Sequence, residues 1–236
     1  AERERLRVVL SVVTAPAWSR AAGGVHGPPD RPEDLARFLR VLIRRHRGRI
    51  HAIEVWNEQN LRREWQTPDG LRPEAYVALL RAAYTAIKEE DPEIMVISGA
   101  LSPTGIDDGV NAVDDFRYLR EMVAAGFLSY ADCVGVHHNG YNIGPDVAAE
   151  EAPALPKART ARFRGPFDNP HHSWSLKSTV WGYREIVGDA KPLCVTEFGW
   201  ASAEEYGVAP PGFAFALDNT LEEQARWLVE ALDRMR

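Results

Sequence analysis

Cysteine is almost absent, since the 236 residues contain only Cys133 and Cys194. Two cysteines exclude a disulfide-rich scaffold and say little about the cellular compartment. No apolar run approaches the length that spans a bilayer, so we expect no membrane partner. Residues 1–10 lack a signal-peptide pattern and an initiator methionine, which predicts a processed chain or a cut piece of a longer one. Secreted and cytoplasmic locations both stay open.

A basic excess is missing as well. The sequence has 28 Lys and Arg residues against 34 Asp and Glu residues, a net charge of −6. A surface that tracks phosphates needs the opposite balance, so we expect no nucleic-acid partner, although a local basic patch stays open. Hydrophobic residues at 45% and charged residues at 26% are typical of a globular domain and exclude disorder as the main state.

Several catalytic motifs do not occur. Without GxGxxG or GxxxxGK[ST] loops, a nucleotide-binding sheet is disfavoured, and without GxSxG there is no nucleophile elbow. HExxH is absent, and the pairs His137-His138 and His171-His172 lack the spacing of a zinc site. We therefore expect no metal, and a metal-dependent hydrolase that uses these histidines is the less favoured alternative.

The sequence instead alternates between strand-like and helix-like segments. The predicted strands are Leu6–Val13, His51–Trp56, Ile94–Ser98, Asp132–Val136 and Leu193–Thr196. The predicted helices are Asp30–Arg45, Pro73–Glu90, Asp114–Ala125, Ser175–Val187 and Leu221–Met235, with Asp30 as a cap of the first. This rhythm predicts the α/β class with buried parallel strands, either as an open doubly wound sheet or as a (β/α)₈ barrel. The proline-rich segment 142–173 interrupts it and predicts either a functional loop or disorder.

Two glutamates follow predicted strands directly. In parallel α/β folds the active site lies at the carboxyl ends of the strands, which is where Glu58 and Glu197 fall. A pair of carboxyl groups suits glycosidic bond cleavage, because one donates a proton while the other attacks or activates water. Glu54 lies within a strand, and we interpret it as structural.

Tryptophans give a second, independent signal. Four of them fall in segments that follow strand ends, namely Trp18, Trp65, Trp174 and Trp200. Sugar rings present flat C–H faces on which indole rings stack, so we expect a carbohydrate substrate and predict that two of the four contact it. The alternative is that these side chains cover the core.

These segments together resemble clan A glycoside hydrolases. VWNEQN at Val55–Asn60 is similar to the Trp-Asn-Glu-Pro-Asn signature of that clan, and CVTEFGW at Cys194–Trp200 to its seventh-strand segment. GVHHNGY at Gly135–Tyr141 is similar to the sixth-strand segment, and SVVTAPAW at Ser11–Trp18 to the third-strand tip. Cellulase, β-xylosidase and α-L-iduronidase-like branches are the most similar in order and spacing.

The resemblance implies a (β/α)₈ barrel and a retaining mechanism without a cofactor. It makes Glu58 the acid/base and Glu197 the nucleophile, with their carboxyl groups ~5 Å apart across one pocket. It also implies substrate contacts or positioning roles for Asn57, His137 or His138, and Tyr141.

The resemblance leaves this barrel incomplete. It assigns the five visible βα units to strands three to seven, whereas a whole barrel needs ~250 residues or more. We therefore expect one partial catalytic domain over residues 1–236, whose remaining strands come from further sequence or from another chain. The first and last strands should then be open edges. Gln59 replaces the usual proline, which we expect to alter only the loop.

One functional alternative stays open. The main functional alternative is a carbohydrate-binding or pseudo-enzymatic barrel fragment that keeps the tryptophans and lacks turnover.

The two cysteines give a separate prediction. Strand alternation counted from His137 and Glu197 places the two sulfurs on different faces. We therefore predict that Cys133 and Cys194 are free thiols.

Overall fold

The computed structural model of the chain describes residues 1–21 and 26–235. The strands in this range are β1 (Val9–Val12), β2 (Ala52–Val55), β3 (Met95–Ser98), β4 (Val134–Gly140) and β5 (Leu193–Trp200). The α-helices are α1 (Pro32–Arg45), α2 (Pro73–Glu90), α3 (Asp115–Ala124), α4 (Pro156–Thr160), α5 (Gly165–Asp168), α6 (Leu176–Val187) and α7 (Leu221–Arg234). Short 3₁₀ turns occupy Glu2–Glu4, Ala17–Ser19, Phe127–Tyr130, Ala149–Ala154, His172–Trp174 and Ala214–Leu217. No helix in the described range combines the length and the apolar character that crossing a membrane requires.

The chain divides into two compact units. The first unit contains Ala1–Val136 and Ile186–Thr196, and the second contains His137–Glu185 and Glu197–Arg236. The alternation of strands and helices confirms the predicted α/β class. The closed eight-stranded barrel and the single catalytic domain over residues 1–236 stay predictions.

The first unit is built on a parallel sheet. Strand β1 pairs with β2 and β2 with β3, all in parallel. Parallel bridges from Ile97 to Cys133 and from Leu101 to Val136 continue the pairing toward β4. Parallel neighbours joined by helices are the arrangement that the sequence rhythm predicts.

Helix α2 shows how the sequence positions this sheet. It begins at Pro73, whose fixed φ suits the first helical turn, and it ends before Pro92, at the bounds predicted from sequence. Its stripe of Tyr76, Leu80 and Ile87 is fully buried. Helix α1 lies against it, and ion pairs between the two helices join Arg40 to Glu89 and Arg44 to Glu90.

The predicted cap of α1 is wrong. The residue before the helix is Arg31, whose side chain makes no capping hydrogen bond, and Pro32 occupies the first helical position. A capping side chain accepts from the N–H of the second or third helical residue, and arginine has no acceptor to do so, so the helix starts without a side-chain cap. The Asp30 carboxylate instead accepts a hydrogen bond from the backbone N–H of Ala21 at 2.6 Å.

Strand β1 is not buried, contrary to the prediction for Leu6–Val13. Leu6 is 62% exposed and Val9 is 53% exposed. The apolar pattern predicts burial, but burial depends on what packs against the strand, and among the described strands β1 pairs only with β2. Strand β5 likewise pairs only with β4, so the expectation of open edges at the first and last strands is confirmed for the described chain.

Strands β4 and β5 are longer than predicted. Their predicted ends lie before His137 and Glu197, whereas β4 continues to Gly140 and β5 to Trp200. Polar residues suggest a loop, but a strand accommodates them where alternate side chains point to a polar side. The two glutamates therefore differ in local structure, since Glu58 lies after its strand and Glu197 lies within one.

The free-thiol prediction is wrong, because Cys133 and Cys194 form a disulfide with their Cα atoms 5.9 Å apart. Cys133 lies one residue before β4, in an isolated bridge with Ile97. Cys133 pairs with Ile97, which itself pairs with Glu54, and Cys194 lies two residues before Thr196, which hydrogen-bonds Glu54. Both sulfurs therefore lie on the Glu54 side of the sheet, and the count back from Glu197 gives the wrong side for Cys194. Both cysteines belong to a small core cluster with Ala52 and Ile97.

The second unit has its own aromatic core. Trp200 and Trp227 pack together with Leu176 and Ala231, their ring centroids 5.9 Å apart. The segment 142–173 is folded rather than disordered: it contains α4, α5, one whole 3₁₀ turn and part of another. A second cluster within it joins Ile143, Ala152, Ala158 and Phe167.

Candidate active site

The turn that carries Glu58 has a strained backbone. Trp56 and Glu58 both have positive φ values, 79° and 46°, in the left-handed region that disfavours residues with a side chain. Such strain persists where surrounding contacts fix it, and it concentrates at functional sites. Here the Trp56 indole is buried, donates to the carbonyl oxygen of Glu64 at 3.1 Å and packs edge-on against Trp65 at 5.4 Å.

The Glu58 carboxyl group is buried beside a cation. Glu58 is only 5% exposed, and its Oε2 lies 2.9 Å from a guanidinium nitrogen of Arg63. The Arg63 side chain is 71% exposed and also approaches Glu64 at 3.4 Å. An ion pair of this kind favours the charged carboxylate, whereas a general acid must carry a proton.

Asn60 and Gln59 connect this turn to the loop that follows β3. The Asn60 amide donates to the carbonyl oxygens of Ser102 and Val113, and its oxygen accepts from the Ser102 N–H, all at 2.9 Å. The buried Gln59 amide donates to the Gly99 carbonyl oxygen at 2.8 Å, so Gln59 does more than alter the loop. Gly99 has no room for a side chain, because an added Cβ would lie 2.6 Å from Gln59 Oε1.

Glu54 lies in β2 as a buried structural group. Its Oε1 accepts hydrogen bonds from the Thr196 hydroxyl at 2.8 Å and from the Ala100 N–H at 3.3 Å. Tyr76 lies near it and bridges the Val55 carbonyl oxygen and the Gly99 N–H. Burial raises the pKa of the Tyr76 hydroxyl well above its usual range, so this phenol stays neutral.

Glu197 has a more open environment. Its side chain is 53% exposed, and its Oε1 accepts a hydrogen bond from the Asn139 amide at 3.0 Å. His137 is buried, with Nδ1 3.9 Å from Glu197 Oε2. The amide therefore orients one carboxylate oxygen while the other remains beside an imidazole.

His138 belongs to a different environment from His137. Its ring is fully buried, lies 5.7 Å from the Trp200 ring and finds no hydrogen-bond partner for either nitrogen among the described residues. Burial lowers the pKa of His138 to about 3, so the ring is neutral at physiological pH. Successive strand side chains point to opposite faces, which is why only one of the two histidines approaches Glu197.

Tyr141 lies in an aromatic cluster of the second unit. It stacks on Phe163 at 5.5 Å, contacts Phe215 at 4.7 Å and meets Trp174 edge-on at 6.0 Å. Burial raises the pKa of the Tyr141 hydroxyl, and a hydrogen bond with Trp174 partly opposes that rise. A role in positioning Glu197 stays a prediction.

The four loop tryptophans divide into two exposed or half-buried and two buried side chains. Trp18 is 76% exposed and borders an apolar groove of about 410 Å³ between β1 and α1. Trp174 is half-buried beside Tyr141. Trp65 and Trp200 are buried, and the Trp200 N–H donates to the Ile143 carbonyl oxygen at 2.9 Å. Contact of any of the four with a ligand stays a prediction.

Two residues that contact the glutamates are not predicted from the sequence. Asn139 falls between a histidine pair and a glycine, and Arg63 lies five residues after Glu58, outside the motif. Strand alternation gives a signal for Asn139, because it shares the side of His137. Asn57 is half-buried, and its side chain makes no hydrogen bond within the described chain. His137 and His138 belong to no group of three metal-ligating side chains there.

Among the comparisons with known proteins, only those with solved structures find a similar fold. No protein-family model and no curated protein matches the sequence. Among solved structures, a β-glucuronidase of Bacteroides uniformis is 18% identical with a TM-score of 0.53, over 97% of this chain and 22% of that one. β-glucuronidase 2 of that organism, covalently bound to cyclophellitol-6-carboxylate aziridine, gives 18% and 0.53 over 98% and 22%. An endo-laminarinase from Formosa Hel1_33_131 gives 13% and 0.52 over 94% and 55%.

The chain thus spans about a fifth of the length of the two glucuronidases and about half that of the laminarinase. At these identities the likeness concerns the fold alone. The described chain therefore has a fold that occurs in glycoside hydrolases.

Proposed function

We propose that the chain is the catalytic part of a retaining glycoside hydrolase that cleaves O-glycosidic bonds. In the first step, Glu197 attacks the anomeric carbon and forms a glycosyl ester, while Glu58 gives its proton to the departing oxygen. In the second step, water attacks the same carbon, its proton goes to Glu58, and the ester bond to Glu197 breaks. The mechanism needs no cofactor.

The environment of Glu197 is the observation that carries this proposal. A nucleophile must be ionised, oriented and accessible, and Glu197 is half-exposed with one oxygen held by the Asn139 amide at 3.0 Å. His137, with Nδ1 at 3.9 Å from the other oxygen, is the positioning histidine of this proposal. His138 packs against Trp200 and takes a structural role instead.

Glu58 supports the proposal through its burial and its fixed turn. A buried carboxyl group is less stable as an anion, which suits a proton donor. Arg63 opposes this effect while it contacts Glu58 at 2.9 Å, but its exposed side chain is free to turn toward solvent or substrate. Asn57 is available for the sugar hydroxyl next to the reacting carbon, and Trp18 and Trp174 are the better placed of the four tryptophans for stacking.

The test is the stereochemistry and the covalent intermediate of the reaction. A panel of aryl glycosides would first identify a turned-over sugar, and proton NMR would then follow the anomer released. We expect retention of configuration, and a 2-deoxy-2-fluoro glycoside of that sugar should leave a glycosyl group on the peptide that contains Glu197. Release of the inverted anomer would overturn the retaining mechanism, and binding of oligosaccharides without turnover would favour the non-catalytic alternative.

A further inference from the structure

A polar hollow of about 560 Å³ lies beside the Glu58 turn in the first unit. We call it the arginine hollow, and its polar lining consists of Arg62, Arg63, Gln66, Ser102, Thr104 and Asn111. Its volume is within the range of sites that hold small ligands. It lies on the segments that follow β2 and β3, the edge of a parallel sheet where ligands bind.

The floor of the arginine hollow is rigid. The loop after Glu58 pairs with the segment before α3 through an antiparallel bridge between Leu61 and Ala112. The Arg62 N–H donates to the Asn111 carbonyl oxygen at 2.9 Å, and Asn60 ties the same loop to Ser102. A preorganised floor limits the entropic cost of binding to the ordering of the two arginine side chains.

The two arginines differ in their partners. Arg63 contacts Glu58 at 2.9 Å and Glu64 at 3.4 Å. The Arg62 guanidinium is exposed and makes no hydrogen bond or ion pair within the described chain. No acidic residue is among those that line the hollow, although the whole chain carries a net charge of −6. An unpaired guanidinium beside hydroxyl and amide donors is the chemistry that recognises a carboxylate or a sulfate.

We propose that the arginine hollow is a leaving-group subsite that selects substrates whose departing sugar carries an anionic group, either a carboxylate or a sulfate. We assign the hollow to the departing sugar because Arg63, which lines it, contacts Glu58, the proposed proton donor to the leaving oxygen. The inference therefore rests on the proposed function. In the proposed complex the anion accepts hydrogen bonds from Arg62 and draws Arg63 away from Glu58.

The anion in this way does two things at once. It gains charge-assisted hydrogen bonds, and it removes from Glu58 the cation that favours its ionised form. Glu58 then holds a proton more readily at the moment when the leaving oxygen needs one. A neutral departing sugar would leave Arg63 in contact with Glu58 and would gain neither effect.

The experiment compares matched oligosaccharides on the whole chain. One set contains glucuronic acid, the second is the same set after reduction of each carboxyl group to an alcohol, and the third carries a sulfate instead. Titration calorimetry gives the affinity ratio of each anionic set over the neutral set, for the unaltered protein and for Arg62→Gln, Arg62→Lys and Arg45→Gln. Arg45 is a suitable control, because it is exposed on α1 and lines no part of the hollow.

We expect at least one anionic set to bind more tightly than the neutral set. Arg62→Gln should lower that ratio about fivefold, the effect of one partly exposed ion pair, whereas Arg62→Lys should lower it less and Arg45→Gln should leave it unchanged. A preference for only the uronate or only the sulfate supports the proposal and identifies the anion. A ratio near one in the unaltered protein, or an equal loss in Arg62→Gln and Arg45→Gln, overturns it.

Turnover separates this inference from the proposed function. If glycosides are cleaved without any preference for an anionic departing sugar, the subsite fails while the proposed function stands. If anionic oligosaccharides bind through Arg62 and none is cleaved, the hollow is an anion site and the proposed function fails.

Discussion

Glu58 and Glu197 have opposite surroundings. Glu58 is 5% exposed, lies in a turn with two left-handed residues and contacts the cation of Arg63. Glu197 has a side chain that is 53% exposed, lies in a regular strand and accepts a neutral amide hydrogen bond from Asn139. Retaining glycosidases need two carboxyl groups in different protonation states, and different surroundings are how proteins achieve this.

The difference also shows which of the two carboxyl groups responds to its neighbours. The strand and the amide hold Glu197 in one orientation, so its chemistry depends on geometry. Glu58 contacts the exposed side chain of Arg63, so what occupies the space beside Arg63 can alter this contact. In the proposed mechanism, Glu197 is therefore the fixed carboxyl group and Glu58 the adjustable one.

The largest expected effect is the loss of turnover on replacing a glutamate, and its dependence on the leaving group distinguishes Glu58 from Glu197. Glu197→Gln should lower turnover by roughly 10⁴-fold or more for every glycoside, because no ester can form. Glu58→Gln should lose far less on a dinitrophenyl glycoside, whose leaving group needs no proton, than on an alkyl glycoside. Steady-state rates for both variants on both glycosides measure this. Equal losses on the two glycosides in Glu58→Gln would remove the acid role of Glu58.

The sequence predicts helix α2 well. The stripe of Tyr76, Leu80 and Ile87 with flanking prolines gives α2 to the residue, because helix periodicity and proline punctuation are local signals. The surroundings of the glutamates are not local. Arg63 reaches Glu58 only through the shape of a turn, and its position does not follow from the motif.

Removal of the disulfide should have the next largest effect, and it tests whether the disulfide fixes β5, the strand that contains Glu197. It closes a loop with a sequence separation of 61 residues. Loop-closure entropy predicts that Cys133→Ala with Cys194→Ala lowers the free energy of unfolding by roughly 4 kcal/mol. Urea titration with and without reductant measures this. A double variant as stable as the oxidised protein would mean that β5 is fixed by packing alone.

Strand alternation fails for this disulfide for a physical reason. The prediction takes the side of Cys194 from Glu197, whereas Thr196, the residue before Glu197, hydrogen-bonds Glu54 on the side of both sulfurs. The exposure of β1 shows a similar limit, since an apolar run states a preference for burial and not what covers it. Sequence therefore gives strands and helices, while pairing and coverage depend on the assembled chain.

Two asparagines provide a matched contrast between the regions. Asn60 is fully buried with three hydrogen bonds, so Asn60→Ala should lower the free energy of unfolding by about 3 kcal/mol. Asn139 is exposed, so Asn139→Ala should leave stability nearly unchanged and lower kcat roughly ten- to hundredfold through loss of the bond to Glu197. Chemical denaturation and steady-state kinetics on both variants test this, with Asn60→Asp, which keeps the acceptor, as a control. The contrast would be lost if Asn139→Ala unfolded the protein and retained kcat per folded molecule.

The smallest effect concerns the histidine that packs away from Glu197. His138 has a pKa of about 3 in the fold because of burial, against about 6.5 for an ordinary histidine. Between these values the unfolded chain binds a proton that the folded chain does not, so the contribution of His138 to stability is complete above pH 6.5 and declines as the pH falls toward 3. The decline is about 1.4 kcal/mol per pH unit, or roughly 2 kcal/mol at pH 5 relative to pH 7.

The variant His138→Leu tests this pH dependence. It removes the titrating group and two buried nitrogens that have no partners in the described chain. The stability of the variant relative to the unaltered protein should therefore rise by that amount between pH 7 and pH 5. Urea titrations at both pH values measure the difference, with His46→Leu at the half-buried C-cap of α1 as a matched substitution control. A constant difference between His138→Leu and the unaltered protein would show that His138 binds a proton equally in the folded and unfolded chains, and would remove the lowered pKa.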